Sequence, residues 1–94
     1  MTLLMKDPSA VLDYAIDWGA EYLGDDDLLA KSSWTVEPSE ADGVAIVSSN
    51  YGGRLSSVQA SGGVPGKLYR LSNSVTTQSG RTDERSIVLR VERR

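Results

Sequence analysis

The densest set of side chains that could do chemistry is a run of three carboxylates, Asp25, Asp26 and Asp27. Calcium takes several oxygen ligands of this kind. Adjacent carboxylates in a turn point in different directions, however, and the glycine and terminal glutamate of an EF-hand loop do not follow. We therefore expect a solvated turn at this run and no metal site.

Catalysis by a serine nucleophile is excluded in its usual form. The serine pairs at 48–49 and 56–57 have no histidine to act as their base, and the chain has no cysteine as an alternative nucleophile. The glycine pairs at 52–53 and 62–63 precede no predicted helix, so a phosphate-binding loop is not predicted. A domain this small also has little room for a sugar cleft between paired carboxylates. We expect no catalytic residue, no cofactor and no small-molecule substrate.

Length and charge indicate one small, unevenly charged domain. The 94 residues suit a single domain. Residues 1–47 carry ten acidic and two basic side chains, whereas residues 48–94 carry three acidic and eight basic ones. The basic residues are spread out without interleaved aromatics, and duplex binding needs a clustered basic face, so no nucleic-acid partner is predicted. The oppositely charged halves either pair across strands of one molecule or favour docking between molecules.

The N-terminal segment contains the apolar residues Leu3, Leu4 and Met5. This run is far shorter than the roughly 7–15 apolar residues of a secretory signal or the about 20 of a membrane helix. We therefore predict no membrane partner. Residues 1–10 are interpreted as an N-terminal arm that docks on the body or on a neighbouring molecule, and residues 11–94 as one domain.

Alternating apolar and polar residues predict short β-strands along most of the chain. Turn signals separate six predicted strands, at residues 12–18, 28–36, 44–47, 54–60, 68–77 and 86–92. In the second predicted strand, the alternation places Leu28 on the same face as Trp34. In the fourth, Leu55 and Val58 are out of phase, which indicates a β-bulge.

The first predicted strand has a helical alternative. Asp7 and Pro8 suit the first turn of a helix, and apolar residues from Val11 to Trp18 also recur at helical spacing. The strict alternation up to Trp18 favours the strand. Residues 19–24 are then predicted to form a single helical turn.

The predicted fold class is all-β, an antiparallel β-sandwich of about six to seven strands. The last two predicted strands form the clearest hairpin, because both alternate cleanly and their connection is short and polar. Tyr69, which follows Pro65 and Gly66, resembles the tyrosine corner of immunoglobulin-like and fibronectin III-like domains, where the hydroxyl bonds to nearby backbone. An ordinary inward-facing tyrosine is the alternative.

The most distinctive segment is the charged connection at 80–85, which contains Arg81, Asp83, Glu84 and Arg85. As a solvated turn, its ion pairs would each contribute about 0–1 kcal/mol. As a docking tip, its arginines would form bidentate pairs with carboxylates of a partner. Composition alone favours the solvated turn.

Several short motifs resemble a family of small tailed-bacteriophage proteins that are fibre–tail adaptors or neck components. The motifs are Asp13-Tyr14-x-x-Asp17-Trp18, Ser33-Trp34-Thr35-Val36, Tyr69-Arg70-Leu71-Ser72-Asn73 and the charged segment 80–85. The resemblance extends over nearly the whole chain. It implies an immunoglobulin-like β-sandwich, a place in the virion after synthesis in the host bacterial cytoplasm, and no catalysis.

On this resemblance, the expected function is a non-enzymatic structural adaptor that joins fibre or tail components to the head–tail neck. Its partners would be other phage structural proteins, with multiple copies in a symmetric assembly. The predicted contact residues are Leu3, Leu4, Met5, Arg81, Asp83, Glu84 and Arg85. The alternative is a carbohydrate-binding or adhesion module of similar fold, for which Tyr22 and Tyr51 are the aromatics outside core-phased positions.

Overall fold

The computed structural model describes residues 2–19 and 27–93. These residues form seven strands and no helix: β1 (Thr2–Lys6), β2 (Leu12–Asp17), β3 (Leu29–Glu37), β4 (Val44–Gly52), β5 (Leu55–Gly62), β6 (Leu68–Thr77) and β7 (Thr82–Val91). The choice of a strand over a helix at β2 is confirmed. The helical turn predicted at 19–24 falls mainly on residues 20–24, which lie outside the described residues.

The strands form two packed sheets, which confirms the predicted all-β sandwich. The four-stranded sheet has the order β1–β7–β6–β3, and the three-stranded sheet has the order β2–β5–β4. Neighbouring strands are antiparallel except β1 and β7, which are parallel. The core contains buried residues of both sheets, namely Trp34, Val44, Val58, Ala60, Tyr69, Leu71, Ile87, Leu89 and Val91.

The N-terminal segment is a strand of the four-stranded sheet. β1 lies beside residues 87–91 of β7. Leu4 packs against the core, whereas Leu3 and Met5 are exposed. Side chains in β1 therefore alternate as in the other strands: Leu4 faces the interior, and Leu3 and Met5 face outward.

A buried lysine links the end of β1 to the other sheet. The Lys6 ammonium donates hydrogen bonds to the carbonyl oxygens of Asp7 at 2.9 Å and Gly62 at 2.7 Å. Gly62 is the last residue of β5, in the three-stranded sheet. Burial away from water lowers the pKa of Lys6. Lys6 thus holds the two sheets together through main-chain carbonyls.

A β-bulge at Ala30 reverses the predicted phase of β3. The register with β6 shifts between Leu29 and Lys31. Leu29 is buried with Trp34, and Leu28 is exposed. The prediction that Leu28 shares the phase of Trp34 is wrong, because one extra residue moves the preceding side chains to the opposite face.

The bulge predicted at 54–60 lies in the neighbouring strand instead. The extra residue is Val47 of β4, where the register with β5 shifts. β5 alternates regularly, with Ser56 and Val58 buried and Leu55 exposed. The sequence pattern was misleading because Ser56, a polar residue, occupies an inward position and is hydrogen-bonded there.

A polar network crosses the interior between the two tryptophans. The Trp18 indole donates to Asn73 Oδ1 at 2.8 Å, and Asn73 Nδ2 donates to Ser32 Oγ at 2.9 Å. The hydroxyl oxygens of Ser32 and Ser56 are 2.6 Å apart, and the Trp34 indole donates to Ser56 Oγ at 2.9 Å. These groups belong to both sheets, so the network fixes how one sheet sits on the other.

Candidate interaction surface

The β6–β7 hairpin carries the charged residues predicted for docking. β7 begins at Thr82, earlier than predicted. Asp83, Glu84 and Arg85 therefore belong to the strand, and their side chains alternate between its two faces. The expectation that they share a turn with Arg81 at the hairpin tip is wrong.

Two of these charges are held by neighbouring side chains. Glu84 accepts a hydrogen bond from Ser74 Oγ at 2.8 Å on the exposed face of the hairpin. The Arg85 guanidinium lies 4.8 Å from the ring centroid of Trp18, in a cation–π arrangement. Glu84 is thus available at the surface, whereas Arg85 partly covers a buried tryptophan.

Asp27 anchors the turn of the same hairpin, which corrects the expectation of a solvated carboxylate. Its carboxylate accepts hydrogen bonds from Ser79 Oγ at 2.7 Å, from Ser79 N–H at 3.2 Å and from Leu28 N–H at 3.1 Å. Arg81 Nη2 lies 3.5 Å from Asp27 Oδ2. The hydrogen bond from the Ser79 side chain lowers the pKa of Asp27 the most. Residues 2–19 and 27–93 contain no cluster of acidic side chains able to hold a metal ion.

The exposed face of the four-stranded sheet carries a group of apolar side chains, the outer apolar patch: Leu3, Met5, Leu68 and Val88. Leu3 pairs with Val88, and Met5 and Leu68 lie on either side of Arg90. Leu3 and Leu68 are 59% and 56% exposed. Exposed apolar side chains that cluster on one face of a soluble protein are typical of interaction sites.

The structure brings most of the predicted contact residues to the adjacent strands β1 and β7. Leu4 and Arg85 line one cleft between the sheets. Asp83 and Glu84 line a separate open groove of about 800 Å³. Arg81 lies apart from β1, at the hairpin turn. The contact roles of these residues remain predictions.

Sequence reasoning missed Leu68 and Val88 as surface residues. The signal was present, because Tyr69 and Leu71 on β6 and Ile87 and Leu89 on β7 define the inward phases. An apolar residue in the opposite phase faces water. Two such residues on paired strands indicate an apolar surface patch.

Tyr69 forms a hydrogen bond to nearby backbone, as expected for the tyrosine corner, which was one of the two alternatives for this residue. Its hydroxyl accepts the N–H of Val64 at 2.9 Å and donates to Glu40 Oε1 at 2.8 Å. The Lys67 ammonium lies 3.0 and 2.9 Å from the two oxygens of Glu40. The hydrogen bonds from Lys67 and then from Tyr69 lower the pKa of Glu40. This cluster holds the β3–β4 connection against the start of β6.

A family model described as Gp77, podophage GP4 fibre–tail adaptor protein gp77, matches residues 6–90. The chain belongs to this family. The match covers β2 to β6 completely and all of β7 except Val91. No curated protein matches the chain.

Membership in the fibre–tail adaptor family gives this protein a structural role in the phage particle. Phage structural adaptors are typically non-enzymatic. Within the two described stretches of chain, no helix is long and apolar enough to cross a membrane. The adaptor family implies interaction with other phage tail or fibre proteins.

We expect the adaptor to lose stability as the pH falls below about 5. Asp27 and Glu40 have folded-state pKa values below their ordinary values of 3.8 and 4.5. The unfolded chain therefore binds more protons than the folded chain in this acidic range, and acid shifts the equilibrium toward unfolding. Thermal unfolding at pH 7, 5, 4 and 3 measures this loss as a falling Tm.

The double variant Asp27→Asn/Glu40→Gln is the control for this pH dependence. It should unfold at a lower Tm than the natural protein at pH 7, since both clusters lose a charged hydrogen-bond acceptor. Its Tm should change less between pH 7 and pH 3. The same pH dependence in both proteins would show that other carboxylates determine the acid sensitivity.

Proposed function

We propose that this protein joins fibre or tail components to the head–tail neck of a phage particle, and that it does so by protein–protein packing at the β1 and β7 strands. The observation that carries the proposal is the outer apolar patch, of which Leu3, Met5 and Val88 lie on the same two strands as most of the predicted contact residues. Apolar surface at the centre of an interface supplies most of its binding energy. Charged neighbours such as Glu84 and Arg90 would orient the partner.

Several copies of the chain would surround a symmetry axis in this assembly. Identical subunits in a ring use heterologous contacts, in which one surface meets a different surface of the next copy. The protein would be synthesised in the host bacterial cytoplasm and then incorporated into the particle. It would act without catalysis, cofactor, membrane or nucleic acid.

A carbohydrate-binding role is not favoured by any feature of the described residues. Such a role usually needs an exposed aromatic platform. Tyr51 is 42% exposed, but its hydroxyl donates to the Ala30 carbonyl at 2.7 Å and holds the side chain against β3. The other predicted aromatic, Tyr22, lies outside the described residues.

The double variant Leu3→Asp/Met5→Asp tests the proposed packing surface. Both side chains are exposed, so the isolated protein should fold normally. Two carboxylates in the apolar centre of an interface should reduce incorporation into particles by about tenfold or more. The measurement is the number of adaptor copies per purified particle, after complementation of a phage that lacks the gene.

The matched control is Val47→Asp/Leu55→Asp, which places the same charges on exposed apolar residues of the three-stranded sheet. We expect this variant to be incorporated normally. Normal incorporation of the Leu3→Asp/Met5→Asp variant would contradict the proposed surface. Equal loss in both variants would also contradict it, because the effect would then not depend on the β1 and β7 strands.

A further inference from the structure

β1 contributes little to the interior of the sandwich. Among the described strands it pairs with β7 alone. The buried apolar residues of the main core come from β3 to β7, and β1 adds to them only the partly buried Leu4. The family match begins at Lys6, so residues 2–5 lie outside it. β1 can therefore leave its place without dismantling the core.

The connection between β1 and β2 is longer than the distance it spans. Residues 7–11 cross from the four-stranded sheet to the three-stranded sheet. Packed sheets lie about 10 Å apart, whereas five extended residues reach about 17 Å. The excess length is folded into a turn.

This turn is held by hydrogen bonds to Asp7. The Ala10 N–H donates to the Asp7 carbonyl at 3.1 Å. The N–H and the Oγ of Ser9 donate to Asp7 Oδ1 at 2.8 and 2.6 Å, and both of these bonds are exposed. Because water replaces exposed hydrogen bonds at little cost, the turn can open and let β1 move away on an extended hinge.

The place on β7 that β1 would leave fits one strand in particular. Residues 87–91 pair with Thr2–Lys6 in parallel register. Leu4 packs against the core beside this pair, and Lys6 donates to the Gly62 carbonyl at 2.7 Å. A strand edge left unpaired is a template for another extended chain. β1 of a second copy has the same sequence, so it restores each of these contacts.

We propose that copies of this protein exchange β1 in the assembled particle, so that β1 of each copy pairs with β7 of the next copy. The contacts of β1 are the same before and after exchange, so exchange costs little free energy once the copies are held close together. Each copy gives one strand and receives one, and this heterologous contact can continue around a ring. The presence of several copies in one particle rests on the proposed function, whereas the exchanged strand and its site rest on the geometry of β1, the turn and β7.

Introduced thiols report the exchange directly, because the chain has no cysteine. Leu3 and Val88 are register partners on β1 and β7. Neighbouring strands lie about 4.8 Å apart, a separation that a disulfide can bridge. A mixture of Leu3→Cys chains and Val88→Cys chains, incorporated into particles and oxidised, should form covalent dimers. At equal amounts, about a quarter of the neighbouring pairs in a ring combine the two positions.

The matched control is a mixture of Ser72→Cys chains and Ser86→Cys chains. These positions are register partners on β6 and β7, but β6 lies inside the sheet between β7 and β3 and cannot be exchanged without disrupting that sheet. We expect no covalent dimer above background. Both substitutions in one chain should instead give a disulfide within the monomer, which verifies that thiols on this pair of strands are oxidised in the particle.

A locked protein distinguishes strand exchange from packing of two outer faces. In the variant Leu3→Cys/Val88→Cys, oxidation of the isolated monomer joins positions 3 and 88 and holds β1 on its own β7. Exchange is then blocked, while the outer face can still pack against a neighbour. When added to particles that lack the adaptor, the locked protein should be incorporated about tenfold less well, or worse, than the same protein after reduction.

The outcomes separate this inference from the proposed function. If the protein is present in particles, covalent dimers no more abundant than in the control mixture overturn the exchange and leave the adaptor role standing. Equal incorporation of the locked and reduced proteins does the same. If the natural protein is absent from particles, the proposed function is wrong, and the Leu3→Cys and Val88→Cys mixture is oxidised at high concentration in solution instead. Absence of covalent dimers there overturns the exchange itself.

Discussion

Replacing Trp18 with alanine is expected to lower the free energy of unfolding by about 3–5 kcal/mol. Trp18 is fully buried and forms a small cluster with Leu29 and Val75. Its indole also donates the hydrogen bond that begins the interior polar network, to Asn73. A domain of this length is stabilised by only about 5–14 kcal/mol in total, so the variant should lose a large share of its stability. Urea denaturation followed by circular dichroism measures the change.

The variant Trp18→Phe separates packing from hydrogen bonding. Phenylalanine retains an aromatic ring beneath Arg85 but leaves the Asn73 amide oxygen without its indole donor. The expected loss is about 1–3 kcal/mol, the cost of an unsatisfied buried acceptor together with imperfect packing. A loss below about 1 kcal/mol for Trp18→Ala would contradict the role of this cluster in stability.

Replacing Gly63 with alanine is expected to destabilise the protein by about 2–5 kcal/mol. Gly63 has a φ of 119°, a conformation that side chains rarely adopt. An added Cβ would lie 2.6 Å from Val91 Cγ2 and 3.1 Å from Val44 Cγ2. Both valines are buried, in opposite sheets, so relief of the overlap requires the packed core to move. Chemical denaturation gives the magnitude.

Gly66→Ala is the matched control for this contact. Gly66 also has a positive φ, 87°, but no atom lies within 4 Å of an added Cβ. This variant should carry the backbone cost alone, about 1–2 kcal/mol. Equal losses in the two variants would show that backbone conformation, and not the contact with Val91, requires glycine at position 63.

The parts of the fold that the sequence predicts are those governed by local alternation. β6 and β7 have uninterrupted two-residue patterns and a short polar connection, and their hairpin is present. β3 has a comparable pattern, but the extra residue Ala30 reverses the phase at its start. The bulge leaves no local signal because Leu28 and Leu29, which precede it, are both apolar, and either could be the inward residue.

The remaining features depend on residues far apart in the sequence. The pairing of β1 with β7 joins the two ends of the chain, and no periodicity in either strand specifies it. Asp27 is buried because Ser79 and Arg81, distant in sequence, surround it. Residues 1–47 are mainly acidic and residues 48–94 mainly basic. Some of these opposite charges pair within the molecule, because Asp27–Arg81 and Glu40–Lys67 are ion pairs between the two halves.

The candidate surface was also only partly predictable from the sequence. Outward apolar residues such as Leu68 and Val88 can be recognised from strand phase, as can the exposed charge of Glu84. Their proximity to Leu3 and Met5 requires the position of β1. The cleft lined by Leu4 and Arg85 depends on the spacing of the two sheets, which no sequence pattern determines.

The parallel pairing of β1 and β7 has a mechanical consequence for a protein that holds other proteins together. The two strands point in the same direction, and the chain enters β1 at Thr2 and leaves β7 at Val91, at opposite ends of the pair. A pull applied before Thr2 and after Val91 therefore acts along the strands. It loads the hydrogen bonds of all five paired positions simultaneously, in shear, instead of opening them one after another.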